Sequence, residues 1–467
     1  MAKYMLVVEV ASAHIPVSSD GNGYTNAFVE LNFGSQQFLT TVKEKGVRTT
    51  WNECFYFNVP DPSGVDELVL EACVYNTNRS IQDSKSFHGM ARIIGPLFRP
   101  LSDAVASPYP LEQTGMFTRV RGDLVLKVYI ADDASIRASN PLLALALALD
   151  TDQTSIPHNI PLHHLKEITN NFSHTHTIGS GGSARVYKGV LPNRKIIAVK
   201  KILQSSNTDL GNQFENEVCH LMTLKHPNIV RCLGYCYETQ HECLDHNEKY
   251  ILAGMEERLL CLEYLPRGSL DRHLTDESSG LDWSTRYKII QGVCYGLYYL
   301  HEQTNRPIFH LDLKPANILL DDSFAPKITD FGLSRPHQQK TISTSSKEGT
   351  LGYMPPELFQ GGKITPKSDI FSLGVIIVEV ITGDKPDITG KSSEDSIDIM
   401  LRKWRNKLQR SPTHGSLELD CEQIKRCIQV GLICVNHDRT KRPTITKVIN
   451  MIEGSESIDS DIINERT

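Results

Sequence analysis

The sequence that decides the fold is His310-Leu311-Asp312-Leu313-Lys314-Pro315-Ala316-Asn317-Ile318-Leu319-Leu320, a polar loop that leads into an apolar strand. Thirteen residues after Asn317 comes Asp330-Phe331-Gly332, and further on Gly349-Thr350-Leu351-Gly352-Tyr353-Met354-Pro355-Pro356-Glu357. Any one of these motifs can arise by chance, but chance does not account for all of them in this order and at this spacing. Together they predict one catalytic region.

Two weaker signals precede this region. The run Ile178-Gly179-Ser180-Gly181-Gly182-Ser183-Ala184-Arg185-Val186 lies where a strand should turn back, and glycines there let backbone N–H groups approach phosphate oxygens. Eleven residues after Gly189, Lys200 ends the apolar run 196–200. Taken alone, the first is a common turn and the second a surface lysine with a buried stem. The motifs that follow make phosphate binding the better interpretation.

In this arrangement the sequence resembles a eukaryotic protein kinase, and its details resemble the plant receptor-like kinases. The resemblance covers residues 162–455. It implies an α+β bilobal fold, with an N-lobe at about 172–265 and a C-lobe at about 266–455, that transfers the γ-phosphate of ATP to serine and threonine hydroxyls of proteins. The alternative is a kinase-like scaffold or decoy that binds partners with little turnover.

Four segments of this region are predicted to be helices, because their apolar residues recur at helical spacing: 285–302, 371–382, 422–435 and 444–452.

The resemblance assigns roles to the polar residues of the decisive region. Asp312 would orient the proton of the substrate hydroxyl, and Lys314 would contact the γ-phosphate as a point charge. Asn317 and Asp330 would hold Mg²⁺ or Mn²⁺, because these cations accept oxygen ligands. Lys314, two residues after Asp312, and Thr350, which would line the floor of the peptide site, favour a serine/threonine kinase over a tyrosine kinase.

The same resemblance makes Lys200 the ligand of the α- and β-phosphates, paired with an acid on the following helix. Glu217 is favoured as that acid, and Glu215 is the alternative. The hinge would run from Glu263 to Leu265, with Leu262 at the back of the pocket. The ATP site is expected to comprise Ile178, Gly179, Ser180, Gly181, Gly182, Ser183, Ala184, Arg185, Val186, Ala198, Lys200, Glu263, Leu265 and Leu319.

Three residues are expected to brace this site without contacting the substrate. Glu357 would form a buried ion pair with Arg442. Asp369 would hold the loop around Asp312 from a buried helix. All three expectations come from the family resemblance, since nothing in the local pattern links residues so far apart.

The sequence departs from the kinase pattern at three positions. Ala184 and Ser183 replace a glycine and an aromatic residue of the phosphate loop, and Leu311 replaces the arginine beside Asp312. Kinases with that arginine use it to sense a phosphate on the activation loop. Leucine cannot, so activity should not depend strictly on loop phosphorylation. The candidate phosphorylation sites are Thr341, Ser343, Thr344, Ser345 and Ser346.

A long insertion is expected at about 239–257, between two central strands of the N-lobe. It contains His241, Cys243 and His246, and Cys232 and Cys236 precede it. A zinc site needs a regular spacing of four such ligands, which is missing here. We therefore expect these cysteines to be buried thiols and expect no zinc.

Residues 1–132 predict an all-β antiparallel sandwich, because short β-branched strands alternate with turn residues. Thr50-Trp51-Asn52-Glu53, Asn26-Ala27-Phe28-Val29-Glu30 and Arg121-Gly122-Asp123-Leu124 resemble a C2 domain, and in particular those of plant proteins with multiple C2 domains and transmembrane regions. The strands are predicted at 4–10, 27–33, 54–59, 68–75 and 122–130.

Calcium binding by a C2 domain requires about five carboxylates on three loops, because Ca²⁺ takes six to eight oxygen ligands. Asp20 is present, but Asn26 and Asn76 are neutral and Lys85 is basic where acids are expected; Asn78 is neutral too, and Asp83 is out of register. The sequence thus predicts a protein-interaction or regulatory sandwich, without calcium and with weak or no direct membrane binding.

The remaining expectations concern organisation and partners. Residues 133–161 are interpreted as a linker and 456–467 as a disordered tail. A net charge of −6 gives no reason to expect nucleic acid as a partner. The partners implied are protein substrates and immune-receptor or membrane proteins bound through the sandwich. Without a signal peptide or an apolar run of spanning length, we expect a cytoplasmic protein, at most peripheral at the plasma membrane.

Overall fold

The computed structural model describes the following residues: 4–15, 26–44, 48–59, 67–77, 85–112, 119–132, 135, 141–150, 157–203, 209–246, 249–274, 281–336, 349–359, 363–385, 394–409 and 417–458. They divide into two compact units. One comprises Met1–Ser155 with His163–Asn171 and Gly189–Ile197, and the other comprises Ile156–Leu162, Phe172–Lys188 and Ala198–Thr467. We call residues 4–132 the β-domain and residues 157–458 the C-terminal domain.

In the residues that the structure describes, the β-domain has ten strands. They are β1 (Tyr4–His14), β2 (Asn26–Phe33), β3 (Gln36–Leu39), β4 (Lys43–Glu44), β5 (Thr49–Val59), β6 (Val69–Thr77), β7 (Ser86–Ile94), β8 (Arg99–Pro100), β9 (Ser107–Glu112) and β10 (Arg119–Asp132). Hydrogen bonds follow the order β3-β2-β6-β7-β9-β10-β1-β5, with β4 on β2 and the short β8 parallel to β10. The five predicted strands are present and longer than expected; the others had not been predicted.

The two halves of this sheet share one core. The pair Met90↔Glu112 alone joins β7 to β9 in the described register, so five strands lie on each side of that junction. Leu6 and Val8 of one half and Val29 and Leu31 of the other are fully buried in the same cluster. Alternate residues of a strand face the same side, so each half contributes one apolar face, as the prediction of a sandwich required.

A helix, α1 (Pro141–Asp150), lies within the segment interpreted as a linker. Leu and Ala have high helix propensity, and Pro141 stands at the first helical position, where its missing N–H costs nothing. Leu142, Leu145 and Ala146 are buried. Within the described residues, no helix has the length and apolarity needed to cross a membrane.

In its described residues, the N-terminal part of the C-terminal domain is a six-stranded sheet with two helices. Its elements are β11 (His158–Asn159), α2 (Leu162–Ile168), β12 (Thr177–Ser180), β13 (Ala184–Val190), β14 (Ile196–Ile202), α3 (Asp209–Leu221), β15 (Cys232–His246) and β16 (Lys249–Glu263). The strand order is β11-β15-β16-β14-β13-β12.

The expected insertion is not a separate loop but the outer part of the β15–β16 hairpin. Backbone pairing continues from Cys232↔Leu262 to His246↔Lys249, with one register shift near Cys232. Residues 238–250 are mostly polar, so their sequence gives no period-2 apolar signal. Cys232 and Cys236 are buried on β15, as expected. Within the described ranges, no cluster of three or more His, Cys, Asp or Glu could hold a metal.

The remainder is mainly helical. Its elements are β17 (Gly268–Ser269), α4 (Asp271–Leu274), α5 (Trp283–Tyr298), β18 (Ile308–Phe309), β19 (Ile318–Leu320), β20 (Pro326–Ile328), β21 (Arg335–Pro336), α6 (Pro356–Phe359), α7 (Pro366–Thr382), α8 (Glu394–Gln409), α9 (Leu417–Cys434) and α10 (Ile445–Glu453). The four predicted helices correspond to α5, α7, α9 and α10. A π-helical turn, Tyr299–Gln303, extends α5.

Helix α7 is the buried centre of this part. It begins with a capping box between Thr365 and Ser368 and ends at Gly383, whose φ of 82° is the left-handed conformation that glycine adopts readily. At Gly374 a Cβ would lie 2.6 Å from Cys434 Cβ, so only glycine allows α7 and α9 to pack this closely. Of the predicted disordered tail, Ile458 packs against this core and Glu456 pairs with Lys447; residues 459–467 lie outside the described chain.

Candidate active site

Lys200 lies on β14, and two carboxylates bind its ammonium group. Nζ is 2.8 and 2.7 Å from the two carboxylate oxygens of Glu217 and 2.9 Å from Oδ1 of Asp330. Glu217 lies on α3 and is 2% exposed, whereas Glu215 is exposed. Residues two apart on a helix point in nearly opposite directions, so only one of these glutamates can face Lys200.

These three charges shift one another's pKa. Burial by itself would lower the pKa of Lys200, but the carboxylates of Asp330 and Glu217 raise it above its usual value. Lys200 in turn lowers the pKa of Asp330. Burial raises the pKa of Glu217, and the Lys200 ammonium opposes that rise. Lys200 is therefore a cation and Asp330 an anion at neutral pH.

The polar loop that decided the fold holds Asp312 in a network. Its Oδ1 accepts from the Thr350 hydroxyl at 2.6 Å, and its Oδ2 accepts from Lys314 Nζ at 2.7 Å and Asn317 Nδ2 at 3.0 Å. Lys314 also donates to Thr350 Oγ1 at 2.7 Å, and Asn317 to the Asp312 carbonyl at 2.8 Å. Three polar side chains thus fix one carboxylate in one orientation.

Asp369, fully buried on α7, holds this loop from behind. Its Oδ2 accepts from the backbone N–H of His310 at 2.9 Å and its Oδ1 from that of Leu311 at 2.8 Å. His301 Nε2 lies 2.8 Å from the same carboxylate. Leu311 has a φ of 67°, a left-handed conformation that is unfavourable for a leucine. The two bonds to Asp369 offset the cost of that conformation.

The phosphate loop closes between β12 and β13. Gly181 N–H donates to the Ala184 carbonyl at 2.9 Å, and Leu203 N–H donates to the Ser183 carbonyl at 2.9 Å. Ala184 is 7% exposed and packs in the apolar core, so its methyl group fills space that a glycine would leave empty. A Cβ at Gly182 would meet nothing within 4 Å, which leaves its backbone open to a ligand.

The expected adenine pocket is apolar and is formed by both lobes. Ala198, Leu262 and Leu265 are buried in the same core against which Ile178, Val186 and Leu319 pack, partly exposed. At the expected hinge, the Glu263 carboxylate accepts from the Arg231 backbone N–H at 2.7 Å and pairs with Lys327 at 3.0 Å. Protein groups thus bind this side chain and anchor the hinge.

Glu357 and Arg442 form a bidentate ion pair. Both nitrogen–oxygen distances are 2.8 Å, and the Arg442 side chain is fully buried. Arg442 also donates to the backbone carbonyls of Asn436 and Lys367 at 2.8 and 2.9 Å. The guanidinium thus has several acceptors in the interior, where an unpaired charge would be costly.

The family model described as "Protein kinase domain" matches residues 172–452, more than half of the chain. The chain belongs to this protein kinase family. A second family model, "C2 domain", matches residues 4–104. The chain therefore carries a C2 domain before the kinase domain, and the C2 match ends within the β-domain.

Curated relatives of the kinase are plant receptor-like kinases. Cysteine-rich receptor-like protein kinase 6 of Oryza sativa subsp. japonica is 38% identical over 62% of this chain and 41% of its own length. Cysteine-rich receptor-like protein kinase 29 of Arabidopsis thaliana is 39% identical over 62% and 42%. The G-type lectin S-receptor-like serine/threonine-protein kinase SD1-13 of Arabidopsis is 39% identical over 62% and 34%. The match thus spans less than half the length of these relatives.

Several residues that shape the kinase site were not predicted from the sequence. His301 binds Asp369, and Lys327 pairs with Glu263. On α3, His220 Nδ1 lies 2.7 Å from Ser334 Oγ. Each pair joins residues at least 64 positions apart, so no local pattern signals it. The only sequence clue was position, because Lys327 and Ser334 flank Asp330-Phe331-Gly332.

Some predicted residues lie outside the described chain. They are the candidate phosphorylation sites Thr341, Ser343, Thr344, Ser345 and Ser346, and the calcium-loop positions Asp20, Asn78 and Asp83. In the C2 domain, Lys85 Nζ lies 3.2 Å from Glu30 and 4.4 Å from the centre of the Tyr75 ring. A basic group is therefore already paired beside β2 and β6.

Proposed function

We propose that the chain is an active serine/threonine protein kinase that transfers the γ-phosphate of ATP to protein hydroxyls. The observation that carries this proposal is that Lys200 is held by both Glu217 and Asp330, at 2.7–2.9 Å. Two acids from distant parts of the chain fix one cation, and one of them, Asp330, keeps a side chain that is 41% exposed. A carboxylate exposed beside a fixed ammonium suits a metal–phosphate ligand.

The donor set fits Mg²⁺ or Mn²⁺ with ATP. Asp330 and Asn317 would supply oxygen ligands, and Mg²⁺ commonly takes one or two protein ligands with phosphates and water for the rest. The bound metal would neutralise charge on the phosphates. The open backbone at Gly182 and the ammonium of Lys200 would bind the phosphates, and the apolar pocket around Ala198 and Leu262 would bind adenine.

Asp312 would orient the substrate hydroxyl and take up its proton. Thr350 and Asn317 fix the carboxylate through hydrogen bonds of 2.6 and 3.0 Å. Lys314, 2.7 Å from the same carboxylate, would turn to the transferred phosphate as negative charge shifts there. The chain's own contribution is positioning and charge balance, which are the main requirements of phosphoryl transfer.

Radiolabelled ATP with Mg²⁺ or Mn²⁺ tests this proposal, with wild type compared with Asp312→Asn. We expect label on serine and threonine of the chain or of a generic substrate in wild type only. Equal labelling of the two proteins would support the alternative, a kinase-like scaffold or decoy. Thermal unfolding of both proteins controls for folding, because Asn keeps the size and most hydrogen bonds of Asp312.

We further propose that the kinase acts in plant signalling of the immune type, in the cytoplasm, with the C2 domain binding protein partners. The relatives that support this are receptor-like kinases of rice and Arabidopsis. A phosphoproteomic comparison of plant cells that express wild type or Asp312→Asn would identify the substrates. Substrates outside immune signalling would contradict the pathway without affecting the assignment of the activity.

A further inference from the structure

The turn that follows Asp330 is tied to helix α3 by a hydrogen bond with no assigned role. Ser334 is fully buried, and its Oγ donates to the Phe331 carbonyl at 2.6 Å. The same carbonyl accepts from Ser334 N–H at 3.1 Å. These bonds close residues 331–334 into a compact turn immediately after the carboxylate proposed to hold the metal.

His220 contacts this turn from α3. Its Nδ1 lies 2.7 Å from Ser334 Oγ. His220 is three residues beyond Glu217, so the two side chains lie on the same face of the helix. Glu217 binds Lys200 and also receives the backbone N–H of Phe331. One face of α3 therefore contacts both ends of the turn 331–334.

The direction of the bond follows from the number of protons. A serine hydroxyl has one proton. Because a carbonyl oxygen can only accept, the 2.6 Å hydrogen bond to the Phe331 carbonyl uses that proton. Nδ1 of His220 must then donate to Ser334 Oγ. Burial, and secondarily the charge of Arg335, lower the pKa of His220, which keeps the ring neutral at physiological pH. The neutral ring thus carries its proton on Nδ1.

We propose that His220 is a positioning residue, whose Nδ1–H bond to Ser334 holds Asp330 and α3 in the arrangement that phosphoryl transfer requires. The inference rests on the proposed kinase activity. His220 does not contact the proposed substrate site; it acts through Ser334 and the turn. Removing the bond should reduce the fraction of molecules in which Lys200, Glu217 and Asp330 are assembled.

Side-chain replacements separate this role from simple packing. His220→Asn places an amide N–H near the position of Nδ1, whereas His220→Gln places its amide near Nε2. His220→Leu keeps the volume without a donor. Cys219→Ala, at an exposed neighbouring position on the same helix, is the matched control. Ser334→Ala removes the partner, and the double variant with His220→Leu completes a thermodynamic cycle.

We expect His220→Leu to lower kcat by about three- to tenfold, the range for one partly buried hydrogen bond, with little change in KM for the protein substrate. His220→Asn should retain at least half of the wild-type kcat, and His220→Gln should not. The double variant should be no slower than the slower single variant. A wild-type kcat in His220→Leu, or equal rates for Asn and Gln, would overturn the proposal.

Amide hydrogen exchange of the nucleotide-free protein gives a readout that does not need turnover. His220→Leu and Ser334→Ala should both speed exchange of peptides covering 214–221 and 331–334, and Cys219→Ala should not. Unchanged exchange in both variants would refute the proposal even if activity fell. If wild type itself shows no phosphoryl transfer, the proposed function fails, and the exchange experiment still decides whether the bond couples the turn to α3.

Discussion

The C-terminal domain and the β-domain each pair a lysine with acidic side chains, and the two arrangements differ in burial and in role. Lys200 is 12% exposed between the carboxylates of Glu217 and Asp330. Lys85 is 43% exposed, with one carboxylate partner, Glu30, and the rings of Tyr75 and Phe28 at 4.4 and 5.9 Å. Lys200 is part of a cluster of paired charges that is largely buried, and Lys85 is part of a surface ion pair.

The difference predicts where a single charge matters. Charges in the interior are stable only as a complete set, because each unpaired ion loses its hydration without replacement. Exposed pairs contribute little, because water and salt screen them. In the C-terminal domain, one of the buried sets of charges is the set proposed to act on ATP. In the β-domain, a lysine stands where a calcium-binding domain needs carboxylates.

The largest effect is expected at the fully buried Arg442. Arg442→Leu leaves Glu357 unpaired at 14% side-chain exposure, which should lower the free energy of unfolding by about 3–5 kcal/mol. Lys447→Met, which breaks the half-exposed pair with Glu456, should cost less than about 1 kcal/mol. Urea unfolding of both variants measures the contrast, and similar costs would remove the distinction between buried and exposed charges.

Lys200→Met should reduce kcat/KM by about 10²–10³-fold, because it removes a fixed cation from developing negative charge. The pKa of Asp330, which Lys200 lowers, should rise in this variant. Asp330 would then take up a proton at a higher pH, so residual activity should disappear at a higher pH on acidification than in wild type. A pH–rate profile of both proteins checks this, and an unshifted acidic limb would argue against the coupling of Lys200 to Asp330.

The activation loop should have a smaller effect. Leu311 cannot bind a phosphate on the loop, so simultaneous Ala substitution of Thr341, Ser343, Thr344, Ser345 and Ser346 should lower kcat by less than about tenfold, or ~1.4 kcal/mol. The control is wild type treated with a phosphatase and assayed at once. A larger loss in either protein would mean that another cation replaces the missing arginine.

Lys85→Ala should lower the free energy of unfolding of the β-domain by about 1 kcal/mol or less, because the exposed ion pair and the exposed cation–π contact are each weak. Differential scanning calorimetry of the whole chain, with Lys43→Ala at an exposed position as the control, checks this. A cost near that of Arg442→Leu would break the comparison between the two domains.

Calcium should have no measurable effect. Asn26, Asn76 and Lys85 stand where carboxylates are needed, so calcium titration of the whole chain by calorimetry should give only heats of dilution at micromolar concentrations. EDTA-treated protein and a magnesium titration provide the baseline. Saturable micromolar binding would show that the loops supply acidic ligands from other positions.

The sequence was most informative where function requires particular residues at particular spacing. The polar loop around Asp312 and the buried helix with Asp369 could be predicted because the order of the motifs matches that of the kinase family. The chemistry of the side chains did not decide whether Glu215 or Glu217 pairs with Lys200. The geometry of the helix does, because only Glu217 faces the lysine. The β-strands at 69–77 and 119–132 were predicted from β-branched alternation, but their bounds were not, because hydrogen bonding extends strands beyond the apolar run.

Other features could not be predicted because tertiary contacts produce them. Helix α8 is polar enough to read as a loop, and buried Trp404, whose ring nitrogen donates to the Ile381 carbonyl at 2.9 Å, anchors it. The hairpin β15–β16 continues through polar residues because each strand satisfies the other's backbone groups. His220 and Ser334 meet across 114 positions, and only the folded chain brings them together.

The same hairpin has a mechanical consequence. Strand β16 has fifteen residues and ends at Glu263. At a rise of about 3.3 Å per residue, the strand is roughly 50 Å long. A ladder that is paired along nearly its whole length resists bending, and its inner end is clamped by Arg231 and Lys327. A small sideways force on the outer end of the hairpin therefore exerts a torque on the hinge, and this torque grows with the length of the hairpin.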